Sequence, residues 1–207
     1  MCAVSAAFGA SAKISSWTCT GSVPTTGSVC SGGVSNWGSY VSCSAANVVT
    51  AINVKSLSLS GSIPSELGSI STLTLLDVSV NSFVGTLPSS LGQLSSLSYM
   101  DASTNKLYGT IPSSLGGLSS ITLLSLTVSS YTGSIPSSLA LNTKMLSLRL
   151  FSNKLTGTIP SSFVYLTQLL LESNSLMGTI PSTFTAMKAL RVFTNSLSGS
   201  VPSSLCV

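Results

Sequence analysis

The sequence predicts an α/β solenoid, an elongated fold of stacked coils, on the basis of three observations. A Gly-x-apolar-Pro core recurs from Gly61 to Gly199, four times at intervals of 24 residues and then twice at 21. Seven of the eight prolines occupy this one position of the repeat. An alternating apolar pattern, typical of a half-buried strand, precedes each glycine. Because a fixed period of about 20 to 50 residues is characteristic of solenoids, we expect one elongated body.

Residues 1–43 lie outside the repeat and are predicted to form an amino-terminal cap. They contain both tryptophans, Trp17 and Trp37, and four of the five cysteines. The first coil of a solenoid exposes an apolar end face, which aromatic side chains held by disulfides can cover. The sequence therefore predicts two parts, the cap at residues 1–43 and a repeat array of about seven coils at residues 44–207.

The cysteines predict disulfide bonds and an oxidising compartment. Four precede the array and one lies in its last turn: Cys2, Cys19, Cys30, Cys43 and Cys206. Such placement suits stapled ends of a protein that is secreted, on the cell surface, or in an oxidising lumen. The odd number leaves one thiol free or intermolecular. We favour Cys30–Cys43 with Cys2–Cys19, and the other pairings stay open.

Each coil is predicted to begin with a strand of the main sheet. Its inward residues form the pairs Leu76/Val78, Met100/Ala102, Leu124/Leu126, Leu148/Leu150, Leu169/Leu171 and Leu190/Val192. Stacking places the strands about 4.8 Å apart in a parallel sheet whose outer residues face solvent. A polar residue follows each strand, at Asn81, Asn105, Ser129, Asn153, Asn174 and Asn195. We expect the amides to bond backbone groups of neighbouring turns.

The rest of each coil is predicted to turn at the glycine and return along the outer side. Apolar residues two before the glycine and leucine or phenylalanine after the proline fill the interior. The serine pair after each proline is expected to cap a short helical segment. The last two coils lose three residues on this outer side, so we expect a flatter carboxyl-terminal end.

Composition excludes several function classes. Only 6% of residues are charged, against about 25% in a typical soluble domain, and the net charge of +4 forms no basic stripe. No apolar window approaches a membrane span. There is no histidine, and the carboxylates are Glu66, Asp77, Asp101 and Glu172. Although Asp77 and Asp101 lie one coil apart, an open sheet offers them no pocket. We predict a protein that is not an enzyme, with no cofactor or metal.

The repeat unit Leu-x-x-Leu-x-x-Leu-x-Leu-x-x-Asn-x-Leu-x-Gly-x-Ile-Pro resembles the plant-type leucine-rich repeat. Residues Leu94 to Pro112 match this unit almost throughout, and Trp37 to Cys43 look like that family's amino-terminal cap. The resemblance implies a right-handed horseshoe with a concave parallel sheet, a convex side of short 3-10 turns and loops, and a second short sheet at the Gly-x-Ile-Pro segment. It also implies a disulfide-stapled amino-terminal cap.

The resemblance implies a choice among receptor ectodomains, receptor-like proteins, polygalacturonase inhibitors and some antifreeze proteins. Fold alone does not select one of these. The 21-residue coils, the low charge and the lack of any Asn-x-Ser/Thr sequon depart from the land-plant pattern. An algal or protist surface protein fits the composition as well.

The outward strand positions are the predicted binding surface. Read across the coils, they carry acids early and arginines with aromatics late, residue types that are enriched at interface hot spots. The predicted partner-binding residues are Asp77, Tyr99, Asp101, Arg149, Phe151, Glu172, Arg191 and Phe193. We predict a non-enzymatic extracellular recognition scaffold that binds a protein or glycan through the concave face, with no nucleic-acid partner.

Two alternative functions stay open. The first is a structural subunit of a larger extracellular or membrane-associated assembly, which the scarcity of charge favours. The second is ice binding by a hydroxyl ladder that is spaced at about 4.8 Å. That ladder consists of the residues after each glycine: Ser62, Thr86, Thr110, Ser134, Thr158, Thr179 and Ser200. With one hydroxyl per coil, these residues are more simply explained as small side chains in a short β-bridge.

Overall fold

The computed structural model describes residues 30–31, 34–35 and 38–205, with side chains from residue 39 onward. The strands, in chain order, are β1 (Cys30–Ser31), β2 (Val34–Ser35), β3 (Val41–Cys43), β4 (Val49–Asn53), β5 (Ser60–Ser62), β6 (Leu75–Asp77), β7 (Ser82–Gly85), β8 (Tyr99–Asp101), β9 (Lys106–Thr110), β10 (Leu123–Ser125), β11 (Ser130–Ser134), β12 (Ser147–Arg149), β13 (Lys154–Thr156), β14 (Gln168–Leu170), β15 (Met177–Gly178), β16 (Ala189–Arg191) and β17 (Ser196–Leu197). Six short 3-10 helices are η1 (Gly38–Tyr40), η2 (Ser65–Ser69), η3 (Ser89–Gln93), η4 (Ser113–Gly117), η5 (Ser137–Leu141) and η6 (Ser203–Leu205).

The main sheet has eight strands in the order β16-β14-β12-β10-β8-β6-β4-β3. The repeat strands pair in parallel, and β3 pairs antiparallel with β4. Equivalent residues of successive coils are register partners, as in Leu76 with Met100 and Met100 with Leu124. The predicted inward pairs are confirmed: from Leu76 to Leu171 they are buried, and only Leu190 and Val192 are partly exposed.

The asparagine after the strand stitches neighbouring coils together, as predicted. Asn81 accepts a bond at Oδ1 from the amide of Leu59 at 2.9 Å and donates from Nδ2 to the carbonyls of Val54 and Val78. The same pattern recurs at Asn105, Asn153, Asn174 and Asn195. Ser129 occupies this position in one coil, and its buried Oγ has no hydrogen-bond partner among the described residues.

A second, five-stranded sheet has the order β13-β11-β9-β7-β5, and β15 pairs with β17 alongside it. Five of these seven strands include the glycine of the Gly-x-Ile-Pro segment, as expected, but all seven end before its apolar-Pro pair. The glycines have φ between 74° and 96°, a region that favours glycine. A Cβ on Gly109 would also come within 2.9 Å of the Thr86 methyl carbon. The residue after one glycine therefore packs against the next glycine.

The outer side of each 24-residue coil contains a 3-10 helix, whereas the shortened coils after Gly157 and Gly178 contain none before the next strand. The prediction that serine caps these helices is wrong. Proline is the N-cap residue of η2 to η5, and no side chain accepts a capping hydrogen bond at their first turns. The second serine instead donates to a carbonyl of the preceding coil, as from Ser90 Oγ to Ser65 O at 2.6 Å. It satisfies backbone between coils because stacking brings that carbonyl nearer than the helix end.

The core is a continuous stack of leucine, isoleucine and phenylalanine side chains between the two sheets and the outer turns. Each fully buried leucine contributes about 1.5–3 kcal/mol. Tyr131 is a polar exception in this stack, because it is fully buried and its hydroxyl has no partner among the described residues. Burial therefore raises the pKa of the Tyr131 phenol well above its usual range.

At the amino-terminal end, Cys43 is disulfide-bonded. The other predicted disulfide positions, Cys2 and Cys19, lie outside the described residues, as does the side chain of Cys30. The pairing of Cys30 with Cys43 and of Cys2 with Cys19 stays a prediction. So does the division into a cap and an array, although β3 of the predicted cap continues the main sheet.

Candidate recognition surface on the strand face

The strand face is defined here as the outward side chains of the main sheet. Its central column is continuous, because the register pairs Asp77 with Asp101, Asp101 with Ser125, Ser125 with Arg149, Arg149 with Leu170, and Leu170 with Arg191. The structure thus aligns four of the residues predicted from the sequence in one file across six coils. Parallel pairing in strict register allows this, since each strand starts at the same position of its repeat.

The expectation that all outer strand residues face solvent is wrong for Asp77 and Glu172. Asp77 and Glu172 are only 6% and 7% exposed. Tyr99, Asp101, Arg149 and Phe151 are half-buried, whereas Arg191 and Phe193 are exposed. Neighbouring strands are about 4.8 Å apart, so side chains on adjacent coils cover part of one another's surface.

In the early coils, polar side chains at the end of each strand accept hydrogen bonds from backbone amides two residues further along the chain. Asp77 Oδ1 accepts from the amide and the hydroxyl of Ser79 at 3.0 and 2.6 Å. Asp101 Oδ1 accepts from the Ser103 amide at 2.9 Å, and Asn53 makes the equivalent bond to Lys55. Such local side-chain bonds satisfy the backbone amides that lie between those bonded to the next coil. The acidic column therefore has a structural role beside any role in binding.

Tyr99 lies beside these acids. Its hydroxyl donates to Asp101 Oδ2 over a long 3.4 Å. Partial burial raises the pKa of Tyr99, and the negative charges of Asp101 and Asp77 raise it further. The phenol therefore stays protonated at neutral pH and can serve as a hydrogen-bond donor.

Arg149 is held in place by two side chains that the sequence analysis missed. Its Nε donates to Ser147 Oγ at 3.2 Å and to Gln168 Oε1 at 3.1 Å, while Ser147 Oγ donates to the same Gln168 oxygen at 2.6 Å. Its terminal nitrogens have no hydrogen-bond partner among residues 38–205. The only available signal was that Ser147 and Gln168 are polar at an outward strand position, ten residues before their glycines.

The last coils combine a carboxylate with aromatic rings. Glu172 lies one coil from Phe151 on one side and one coil from Phe193 on the other. Its Oε1 is 3.7 Å from a terminal nitrogen of Arg191, whose side chain is 62% exposed. Phe193 is 61% exposed. This end of the strand face thus offers charge and apolar surface together.

The predicted hydroxyl ladder on the second sheet is wrong in its register. The residue after one glycine pairs with the residue before the next, so Thr110 lies opposite Thr132 and Ser134 opposite Thr156. The residues before the glycine are exposed on the same face, and four of them are also hydroxyl-bearing: Ser60, Thr132, Thr156 and Ser198. The face therefore carries hydroxyls in two offset ranks, interrupted by Val84, Tyr108 and Met177.

Within residues 38–205 no cluster of three or more cysteine or acidic side chains could hold a metal ion. None of the described helices is long and apolar enough to cross a membrane.

The stacked coils, the two parallel sheets and the asparagine ladder define the class of the protein as a repeat solenoid. The sequence profile of the Leucine Rich Repeat family matches residues 72–94, 96–118, 144–166 and 165–187. The chain is a leucine-rich-repeat protein of the plant type. A search of curated protein sequences finds no match.

Solved structures extend this comparison. The plant peptide hormone receptor RGFR1, in complex with RGF2, is 38% identical over 70% of this chain, with a TM-score of 0.68. The Arabidopsis receptor kinase HAESA ectodomain, in complex with an IDA peptide hormone, is 28% identical over 93%, with a TM-score of 0.73. The chain spans only 24% and 36% of the length of those two receptor chains. A plant ice-binding protein shares the fold at 21% identity, covering 96% of this chain and 86% of its own, with a TM-score of 0.61.

Proposed function

We propose that the protein is a non-enzymatic recognition scaffold that binds a peptide segment of a protein partner through its strand face. The observation that carries this proposal is the arginine at the centre of the face. Ser147 and Gln168 fix the Arg149 guanidinium at Nε and leave its terminal nitrogens available among the described residues. A pre-positioned donor loses little conformational entropy when it binds an acceptor.

The surroundings of Arg149 support a peptide as the ligand. Tyr99 offers a protonated hydroxyl two coils away. Phe151 offers apolar surface in the same coil as Arg149, and Phe193 does so two coils further along the same face. Aromatic and arginine side chains dominate interface energetics. The similar receptor structures were solved with peptide hormones. A glycan ligand stays the second candidate on this face.

An extracellular or other oxidising location fits the same proposal. Cys43 is disulfide-bonded, and structural disulfides persist mainly in secreted and cell-surface proteins. The similar plant structures are receptor ectodomains. An ectodomain that presents its strand face to secreted peptides agrees with both observations.

The experiment is selection of peptides on the immobilised protein, followed by tests against matched variants. Arg149→Met removes the charge from the strand face. Lys154→Met makes the same charge change on the second sheet of the same coil, where Lys154 is exposed. We expect Arg149→Met to weaken the binding of selected peptides by about tenfold or more. Lys154→Met should leave their affinity unchanged. Equal affinity for both variants would contradict the proposal. Neutral and acidic oligosaccharides, tested in parallel, examine the glycan alternative.

Ice binding is a second candidate function, supported by the two exposed ranks of hydroxyls on the second sheet. Thr110, Thr132, Ser134 and Thr156 form two register pairs there. Thr132→Lys places a long charged side chain among them and is expected to abolish any ice shaping, whereas Arg149→Met on the opposite face leaves it intact. Absence of thermal hysteresis in the wild-type protein at about millimolar concentration would eliminate this candidate.

A further inference from the structure

We propose that Glu172, between Phe151 and Phe193, forms a subsite for a guanidinium group, such as an arginine side chain of a peptide. This proposal deepens the proposed function and rests on it for the identity of the natural ligand. The binding of the guanidinium group itself can be measured independently.

The three residues occupy the same position of consecutive coils. The parallel hydrogen bonds continue past the ends of β12, β14 and β16, since the Ser152 amide donates to Glu172 O at 2.9 Å and the Ser173 amide donates to Phe193 O at 3.1 Å. Neighbouring side chains in this file start about 4.8 Å apart. Glu172 therefore has one phenylalanine on each side in this file, and the backbone positions of the two phenylalanines are about two strand spacings apart.

The carboxylate of Glu172 is incompletely paired. The residue is 7% exposed. Its Oε2 is buried and has no hydrogen-bond partner among the described residues, and its Oε1 is 3.7 Å from Arg191, beyond hydrogen-bond length. Burying a charge without hydrogen bonds is costly. The exposed Arg191 side chain offsets little of that cost, because solvent screens the pair.

A guanidinium group meets these requirements better than other groups. Its planar fork of N–H donors can bond both carboxylate oxygens at once, and its flat face stacks on aromatic rings. A cation within about 6 Å of a ring centroid also gains a cation–π interaction. An ammonium group supplies the charge but not the two parallel bonds. Neutral amides and acids leave the buried charge uncompensated.

Entry to the subsite requires surface side chains to move. Arg191 and Phe193 are the exposed members of the cluster, and rotamer changes of exposed side chains are common when an interface forms. Arg191 is also a competitor, because it offers its own guanidinium to the same carboxylate. Its removal is therefore expected to strengthen binding of an incoming guanidinium.

The experiment uses the intact chain and three small probes: Nα-acetyl-arginine amide, the lysine analogue, and the neutral isostere Nα-acetyl-citrulline amide. NMR titrations give their affinities. We expect saturable binding of the arginine probe, weaker binding of the lysine probe and none of citrulline. Glu172→Gln is expected to weaken binding of the arginine probe by about tenfold or more. Arg191→Met is expected to strengthen that binding. Glu66→Gln is the matched control, since Glu66 is an exposed acid on η2, and it should change nothing.

Three results would overturn the subsite: citrulline binding as well as arginine, unchanged affinity in Glu172→Gln, or no saturable arginine binding up to about 100 mM. Circular dichroism checks that each variant is folded. If Glu172→Gln does not fold, Phe193→Ala provides a second test, because it changes an exposed side chain. Phe193→Ala should weaken binding of the arginine probe. An unchanged affinity in this variant also overturns the subsite. The peptide test with Arg149→Met has a separate outcome, so either proposal can fail alone.

Discussion

At the scale of single residues, each coil holds a non-glycine residue in the left-handed backbone region five positions before the glycine, and the first coil holds a further one at Ser58. The φ angles are 56° at Val80 and 51° at Val128, and equivalent values occur at Ser56, Thr104, Ser152, Ser173 and Thr194. This region is unfavourable for β-branched side chains in particular. The valines are 43% and 42% exposed, so burial does not compensate the strain.

Replacing Val80 by asparagine is expected to stabilise the protein by about 1 kcal/mol, because asparagine tolerates positive φ. Val84→Asn is the matched control, since Val84 has a similar exposure of 44% but lies in strand β7. There asparagine should be neutral or destabilising. Urea unfolding measures both changes, and equal effects at the two positions would contradict the strain argument.

Tyr131→Phe is expected to leave stability at neutral pH unchanged or raised by about 1 kcal/mol, because it removes a buried hydroxyl that has no partner among the described residues. The phenol's pKa is raised in the folded state, so the folded chain keeps its proton after the unfolded chain begins to lose it near pH 10. The stability that this pKa difference contributes to the folded state is fully present below about pH 10 and is lost as the pH rises through the folded pKa.

Urea unfolding at several alkaline pH values tests this expectation. The wild type should lose stability above about pH 10, and Tyr131→Phe should show a shallower loss. Tyr165→Phe, at a tyrosine that is 55% exposed, serves as the control. An identical pH dependence in wild type and Tyr131→Phe would show that this phenol does not titrate on unfolding.

At the scale of elements, coil stacking depends on the asparagine ladder. Asn105 accepts from the Phe83 amide and donates to the carbonyls of Val78, Ala102 and Ser103. Ser129 fills the equivalent position without making such bonds. The chain therefore contains its own comparison between a coil that is stitched by an amide and one that is not.

Asn105→Ser is expected to destabilise the protein by about 3 kcal/mol, because several buried backbone groups lose their partner. The reverse change, Ser129→Asn, should stabilise by about 1 kcal/mol, since the new amide would present an acceptor to the Leu107 amide. Thermal and urea unfolding of the two variants give the difference. Destabilisation by both changes would show that the missing asparagine does not limit the stability of the coil that contains Ser129.

Sequence periodicity predicted the elements well where a repeat position has the same structural role in every coil. The strands, the glycine turns and the asparagine bonds follow from residues that recur in register. The role of the serines after proline could not be predicted, because a hydroxyl bonds whichever carbonyl is nearer. In the case of Ser90 that carbonyl belongs to Ser65 in the preceding coil. The pairing of Thr110 with Thr132 could not be predicted either. The repeat shows which residues are equivalent in successive coils, but it does not show by how many residues the short strands are offset from one another.

At the scale of the whole molecule, the sequence predicted which residues share the strand face but not how each one is used. The file from Asp77 to Arg191 follows from the repeat. The burial of Asp77 and Glu172 depends on which side chains surround them, and the bonds that hold Arg149 depend on one serine and one glutamine in different coils. Such contacts between coils are not encoded in the spacing of one motif.

We propose that the strand face, and not the hydroxyl-bearing second sheet, binds the partner. NMR mapping of a selected peptide on the isotope-labelled protein tests this proposal, because amides of both sheets report separately. We expect shifts concentrated at Tyr99, Arg149, Gln168 and Phe193, with little change from Thr132 to Ser134 and from Thr156 to Thr158. Shifts confined to the second sheet would contradict the proposal.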